Sequence, residues 1–283
     1  MKKRKLLIIL PLLILILCLC SCSYKSHNSS FCIQFIDVGQ GDAALIECDG
    51  HYMLIDGGDK SASDKVYNVL KEQNIQCLDI LAVSHLHADH IGGLAKALTY
   101  ATKIGVTISN SDYSETDAFK KLSHELAING SQITIPSVGD EYKLGSATVE
   151  VIDVCADEEN DSLVLLITYG NTKFLFTGDI EEDAQTRISE KYQNESDEPY
   201  EIDLIKMPHH GSYTGTLYQF LRTFMPEYAV ISVGVGNNYG HPDEKTLDLL
   251  NSKTWKPKIY RTDHDGDIIV QSNGKELSVK TSK

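Results

Sequence analysis

Ser84-His85-Leu86-His87-Ala88-Asp89-His90-Ile91-Gly92-Gly93 follows directly on the apolar run Leu78-Asp79-Ile80-Leu81-Ala82-Val83, and its reading decides the fold. A buried strand ends, and His85, His87, Asp89 and His90 arrive within six positions. Imidazole and carboxylate are the ligands that suit Zn²⁺ and similar borderline metals. On a regular strand or helix these four side chains do not all face one ion, so the stretch is expected to be a loop. Such a loop turns the alternate pair His85/His87 toward one ion and the adjacent pair Asp89/His90 toward another. The spacing therefore predicts two metals. The competing reading, a solvated polar loop, sits poorly with the preceding strand and with Gly92-Gly93.

Upstream, Cys32 to Ile36, Ala43 to Cys48 and His51 to Ile55 are short apolar or alternating runs that read as consecutive antiparallel strands. Asp49-Gly50 is a tight hairpin signal, and Asp56-Gly57-Gly58-Asp59 a turn that approaches something closely. Asp37, Asp42 and Asp56 end strands and read as turn caps or as acceptors that orient a ligand histidine. Ser63 to Gln73 carries Val66, Val69 and Leu70 at helical spacing. Downstream, Gly92-Gly93 opens a helix through about Tyr100, and Ile104 to Ile108 returns as a strand. Asp117 to Asn129 is helical by period, with His124 on its surface. Ile133 to Ile135 and Ala147 to Val154 read as strands that complete a first βα layer. A second layer begins with Ser162 to Tyr169 and Lys173 to Phe176. Ile202 to Met207 and Tyr228 to Val233 add strands, with a helix over Thr216 to Phe224 between them. Ile259 to Thr262 and Asp267 to Gln271 close the sheet, and His264 is expected in solvent.

His-x-His-x-Asp-His after a strand resembles the signature of the metallo-β-lactamase superfamily. The similarity extends, in order, to Phe35-Ile36-Asp37-Val38-Gly39-Gln40-Gly41-Asp42-Ala43-Ala44, Leu54-Ile55-Asp56-Gly57-Gly58, Phe176-Thr177-Gly178-Asp179, Pro208-His209-His210-Gly211-Ser212, Tyr239-Gly240-His241-Pro242 and Arg261-Thr262-Asp263-His264-Asp265-Gly266. Together these resemble the hydrolase domain of ComEC-type DNA-uptake proteins and its free-standing relatives, over about residues 31 to 280. The resemblance implies an α/β fold, a four-layer αββα sandwich with the site along one edge of its two sheets. It implies that Asp179 bridges two divalent ions, zinc or else manganese, and that His241 is the last ligand of the ion held by Asp89 and His90. The superfamily's usual histidine between the first motif and Asp179 is missing. His124 is in the wrong context, and the expected position falls near Asp157-Glu158-Glu159-Asn160-Asp161-Ser162, an Asn-x-Ser pattern that the ComEC-like branch shares.

A third ligand for the first ion is therefore sought at His209 or His210. Adjacent side chains leaving a loop do not easily bind one ion, so one is expected on the metal and the other on the substrate or leaving group. The working assignment gives His209 to the metal and His210, with Asp89 and Asp179, to catalysis; the reverse remains open. Asn237, Asn238 and Tyr239 are candidate substrate donors.

Residues 1–22 read as a lipoprotein signal peptide, with Lys2, Lys3, Arg4 and Lys5 ahead of an apolar stretch from Leu6 to Leu19. That stretch is shorter than the roughly 20 residues a spanning helix needs. Leu19-Cys20-Ser21-Cys22 resembles a lipidation box with Cys22 as the acceptor, residues 23–30 a tether and residues 31–283 one hydrolase domain. The expected location is outside the cytoplasmic membrane, anchored by lipid. Removing the four basic leader residues takes the formal charge from −14 to −18, which opposes nonspecific binding to polyanions. Cys32, Cys48, Cys77 and Cys155 read as buried thiols or as bridged pairs in a compartment that permits either.

The activity the resemblance implies is a metal-dependent phosphodiesterase that attacks DNA with a metal-bound water. A cell-wall or choline-type phosphodiester is the alternative substrate, and a non-catalytic binding lipoprotein on a hydrolase scaffold is the alternative of another kind. Lys206, Arg222, Lys245, Lys253, Lys256, Lys258 and Arg261 are the bases nearest in sequence to the late site loops. A nuclease predicts that they share the site's rim.

Overall fold

A computed structural model describes residues 30–155, 162–195, 199–252 and 255–283. The leader, Cys22, nearly all of the tether and the segment 156–161 lie outside the described residues.

The first sheet opens with β1 (Phe31–Phe35), β2 (Ala44–Cys48) and β3 (His51–Ile55), an antiparallel meander. Asp49 and Gly50 turn the β2–β3 hairpin with φ of 53° and 84°, the positive-φ pair that matches strand twist. The chain then crosses through α1 (Ser63–Glu72), which buries Val66, Val69 and Leu70, to β4 (Cys77–Val83), parallel to β3. After two short helical turns, α2 (Ala88–Ile91) and α3 (Leu94–Ala97), the chain forms β5 (Lys103–Ser109). The longer α4 (Asp117–Ile128) is capped by Thr116 Oγ1, which accepts from the Phe119 amide at 3.2 Å, and leads to the short β6 (Ile133–Thr134).

The second sheet is made of β7 (Glu141–Leu144), β8 (Ala147–Val154), β9 (Leu163–Tyr169), β10 (Thr172–Phe176), β11 (Leu204–Lys206), β12 (Tyr228–Ile231) and β13 (Lys258–Arg261). Its outer helices are α5 (Glu182–Glu195), α6 (Tyr218–Phe224) and α7 (Glu244–Leu250). One turn, α8 (Thr262–Asp265), returns the chain to β14 (Ile268–Ser272) and β15 (Leu277–Thr281), which join the first sheet beside β1.

The sheets run β15-β14-β1-β2-β3-β4-β5-β6 and β13-β12-β11-β10-β9-β8-β7. Between them lies one apolar layer, in which Phe31 stacks on Phe174 at 4.7 Å and Phe35 on Phe176 at 5.7 Å. A second apolar layer seals the first sheet to α1, α3 and α4, and a third seals the second sheet to α5, α6 and α7. The molecule is thus the four-layer αββα sandwich that the motifs imply.

Sheet membership differs from the sequence reading. Ala147 to Val154 belongs to the second sheet, pairing with β9, and the two closing strands divide, β13 to the second sheet and β14 to the first. Periodicity reports which face of a strand is buried, and both sheets bury a face against the same central layer, so it does not report which sheet a strand joins. The first metal motif is also only half a loop. Asp89 and His90 sit on the helical turn α2, while His85 and His87 precede it in extended chain.

Candidate metal centre

The site lies where β3 and β4 of the first sheet and β10, β11 and β12 of the second end. Asp56, at the end of β3, has φ of 57° and accepts from the Ser84 amide at 2.8 Å and from Ser84 Oγ at 2.6 Å. This ties the ends of two neighbouring strands together before the histidines begin. Glycine is required where α2 is packed against the floor. A Cβ on Gly41 would lie 2.1 Å from the Asp89 carbonyl oxygen, and one on Gly93 2.1 Å from that of Gly57.

His90 is fully buried, with Nδ1 2.9 Å from Asp56 Oδ2, so that Nε2 faces Asp179 Oδ2 at 3.2 Å. A carboxylate behind a histidine fixes both its tautomer and its ring, which is how ligand histidines are commonly held. Asp56 therefore takes the orienting role read for it. His85 is buried, with Nδ1 near Ser84 Oγ at 3.1 Å and Nε2 2.9 Å from Nδ1 of the exposed His87. Asp179 follows β10 and is held by its amide, which donates to Ser162 Oγ at 2.9 Å. Ser162 Oγ also lies 3.4 Å from His85 Nδ1.

His209 and His210 resolve into different environments. Both take left-handed backbone, φ 45° and 54°, a strain of order 1–3 kcal/mol each that the surrounding packing must hold. His210 turns inward and is buried. Its Nδ1 lies 3.0 Å from the Ser232 carbonyl, to which it donates, and its Nε2 stands 3.3 Å from Asp89 Oδ2 and 3.5 Å from Asp179 Oδ2. His209 turns outward, its Nδ1 3.0 Å from Glu181 Oε1 and its ring 5.5 Å from that of His241.

Among the described residues, donors close enough to share an ion form four overlapping groups: His85/His90/Asp179, Asp89/His90/His210, Asp42/Asp179/His210 and Asp42/Asp56/His90. His90 appears in three of them, and Asp42, Asp179 and His210 in two each. His87, His209 and His241 belong to none of the four. His87 nevertheless touches His85, whereas His209 and His241 stand together at the mouth.

Asp42 and Lys206 form a floor that was not read. Lys206, only 3% exposed, places Nζ 2.6 Å from Asp42 Oδ2 and donates to the Met207 carbonyl at 2.8 Å. Asp42 Oδ1 lies 3.3 Å from His210 Nδ1. Lys206 is one of the bases that a nuclease predicts at the rim, and it lies beneath the site instead. Its place inside the run Ile202 to Met207, with apolar residues on both sides, was the signal that it is buried.

Two of the other bases are held in ion pairs. Lys258 pairs with Glu227 at the end of β13 remote from the site, and Arg261 pairs with Asp263. Lys253 lies outside the described residues. Asn237 is consumed in its own loop, its Nδ2 donating to the Gly234 and His241 carbonyls and its Oδ1 accepting from the Tyr239 and His241 amides. Asp37 is peripheral and pairs with Lys283. No disulfide joins the described cysteines.

Asp42, Asp56, Asp89 and Asp179 thus converge with one permanent cation, Lys206. Burying that excess of negative charge is costly unless further cations enter. Protons answer part of the demand. Burial pushes the His90 imidazolium down, but Asp179 and Asp56 outweigh it and hold its pKa well above the ordinary value. His210 is likewise disfavoured by burial yet raised to about 9 by Asp179 and Asp42. Asp179, despite burial, is held well below the usual carboxylate range by His90 and His210. His85 goes the other way, kept neutral by burial and by the His90 charge. Asp179 Oδ1, Asp42 Oδ1 and His210 Nε2 remain buried without a hydrogen-bond partner. Hard carboxylate oxygens and imidazole nitrogens orphaned side by side fit one or more divalent ions.

The model of the metallo-beta-lactamase superfamily matches residues 36–235. The chain belongs to that superfamily. Its members are generally metal-dependent hydrolases, in keeping with the donor groups just described. ComE operon protein 3 of Bacillus subtilis is 26% identical over 258 residues, covering 83% of this chain and 32% of that protein. Competence protein ComA of Neisseria gonorrhoeae is 27% identical over 233 residues, covering 82% and 31%. The chain therefore spans about a third of the length of the curated relatives it matches. The similarity to ComEC-type proteins read from the motifs stands on these matches. Among solved structures, the metallo-beta-lactamase fold protein YhfI of Bacillus subtilis superposes with a TM-score of 0.56 at 13% identity, covering 86% of this chain and all of YhfI. The diiron β-hydroxylase CmlA of Streptomyces venezuelae gives 0.52 at 15%, covering 82% and 53%. Both likenesses are of fold. Among the described residues no helix is long and apolar enough to cross a membrane.

Proposed function

We propose that the chain is a binuclear metal-dependent phosphodiesterase acting on DNA outside the cytoplasmic membrane, tethered by lipid at Cys22. The observation that carries the chemistry is the set of donors around Asp179 that lack a hydrogen-bond partner although buried: Asp179 Oδ1, Asp42 Oδ1 and His210 Nε2. A binding protein on a retired scaffold has no reason to keep such costly groups together. The relatives named for competence and recombination support DNA as substrate.

In this reading His85, His87, Asp89, His90, Asp179 and His210 would hold the divalent ions. Zinc or manganese suits the donor set. The ions would supply a water acidic enough to be a nucleophile near neutral pH and a charge that stabilises phosphoryl oxygens. The chain's own work is positional. Asp56 and the Ser232 carbonyl hold His90 and His210 by Nδ1, so that Nε2 of each turns to the centre. Asp89, half-buried, is ionised through contact with His210 and His90 despite burial and can accept a proton from an attacking water. His209, fixed at Nδ1 by Glu181, has Nε2 left for the substrate or its leaving oxygen. His241 beside it has its pKa lowered by burial and by His209, so it is a neutral neighbour.

The cell-wall or choline-type phosphodiester stays as a second reading because Lys206, Lys258 and Arg261 are each already held by a carboxylate. Zinc- or manganese-loaded protein assayed on DNA, a choline-phosphate ester and a small chromogenic phosphodiester decides between them. Cleavage of DNA is the expected result. Cleavage of the choline ester with DNA intact reverses the order, and no hydrolysis of any diester with metal bound ends the enzyme reading.

A further inference from the structure

A line of rings crosses the mouth of the site. From the buried His90 it passes to His210 (centroids 5.3 Å apart), His209 (6.1 Å), His241 (5.5 Å) and finally Tyr239, which stacks on His241 at 5.8 Å and 25°. On the opposite flank His85 and His87 lie 4.5 Å apart and line a cleft of about 240 Å³ with Asn110, Ser111 and Tyr113. Each flank thus ends in an exposed tyrosine, Tyr239 at 70% and Tyr113 at 68%. Tyr113 is steadied by an edge contact with Phe119 at 6.2 Å.

An isolated exposed tyrosine is ordinary. Here one lines the cleft of His85 and His87 and the other stacks on His241, at the two ends of a run of rings that passes through the candidate ligands, so a polymer following that run would meet both. Several of the bases near the site loops are already engaged. Lys206 is spent on Asp42, Lys258 on Glu227 and Arg261 on Asp263, while Lys245 places Nζ 4.4 Å from the centroid of Tyr213. Duplex affinity rests largely on phosphate neutralisation. A single strand offers in addition the open π-faces of its bases, which stack on aromatic side chains without regard to sequence, whereas in a duplex those faces are already stacked on each other.

We infer that the site takes single-stranded nucleic acid, with the bases on either side of the scissile phosphate stacked on Tyr113 and Tyr239. This rests on the phosphodiesterase reading and names its substrate form. The test compares manganese- or zinc-loaded mature protein on a fluorescent 12-nucleotide DNA strand, the same strand annealed to its complement, and a small chromogenic phosphodiester. The single strand should be cleaved with a kcat/KM at least about 10-fold above that of the duplex. Tyr113→Ala and Tyr239→Ala should each raise KM for the single strand about 10-fold, the size of one lost base stack, and Tyr→Phe at either position should restore it because the ring is kept. The small diester, with no flanking bases, should show a much smaller change in KM. Single-strand cleavage indifferent to both alanine substitutions, or duplex cleaved as well as single strand, overturns the inference and leaves the phosphodiesterase reading standing. Hydrolysis of the chromogenic diester alone removes nucleic acid as the substrate and this inference with it. Failure on all three substrates is instead the failure of the phosphodiesterase reading.

Discussion

The floor and the mouth of the centre are built from the same residue types and behave oppositely. On the floor Asp42, Asp56, His90, Asp179 and His210 are buried, and each is backed by a neighbour with a definite atom: Lys206 Nζ, Ser84 Oγ, Asp56 Oδ2, Ser162 Oγ, the Ser232 carbonyl. At the mouth His87, His209, His241 and Tyr239 are partly or fully exposed, and they contact mainly one another or a single carboxylate. A buried ionisable group without a partner costs several kcal/mol, whereas an exposed one costs little. The floor is therefore free to bind cations tightly but not to rearrange, and the mouth is free to meet a substrate. Substitutions on the floor should change metal content and stability, and those at the mouth should change turnover.

The largest effect expected is that of Asp179→Asn, which removes the charge shared between donor groups with almost no change in volume. Activity should fall by more than the roughly 10–100-fold typical of a residue that only supports a ligand, while circular dichroism stays native. An unchanged rate would take Asp179 out of the centre. Next is Lys206→Met. Removing one partner of a buried pair strands Asp42, at a cost of about 3–5 kcal/mol, visible as a lower denaturation midpoint in the metal-free protein. The Asp42→Leu/Lys206→Met double variant should recover much of that loss, and a single variant as stable as the parent would mean that the pair is not closed in solution.

The adjacent histidines give the sharpest division. His210→Ala should weaken metal binding by at least roughly 10-fold in a chelator titration. His209→Ala should keep the metal and lose turnover. If the two variants exchange these phenotypes, the floor and the mouth have been assigned the wrong way round.

The smallest effect is graded with pH. His210 has its pKa raised to about 9, so below that pH a metal must displace its proton. Apparent affinity should rise with pH by at least about tenfold per unit up to about pH 9, since His90, whose pKa is also raised, must lose a proton as well. In the metal-free protein the sign is reversed. The raised pKa stabilises the fold fully below the ordinary histidine value of 6.5, and that stabilisation is lost as pH climbs through about 9. Metal affinity flat between pH 7 and 9 would show that His210 carries no proton for the metal to displace.

Much of the floor is written locally. His85, His87, Asp89 and His90 lie within one turn of chain, and an apolar strand followed by Gly92-Gly93 marks where they stop; Asp56 and Asp179 announce themselves as acids at strand ends. The apolar periods of Val66-Val69-Leu70 and of β4 likewise place helix and strand. The place of Lys206 was not legible because its burial depends on Asp42, which comes 164 positions earlier, in the loop between β1 and β2 of the other sheet. The choice between His209 and His210 was illegible for a related reason. Two consecutive left-handed residues send adjacent rings in opposite directions, and only the packing that sustains such strain selects the direction.

By itself, then, the sequence determined the kind of donors and where they cluster, and its motifs carried the resemblance that implied the four layers, because ligand chemistry and hydrophobic period are properties of neighbouring residues. Tertiary structure alone decided which sheet β8 and β14 join, which of the two late histidines faces Asp179, and that Lys206 closes the floor rather than greeting a substrate. Each of those depends on groups remote in the chain meeting in a low-dielectric interior, where an ion pair or an orphaned donor has an energy that no local pattern records.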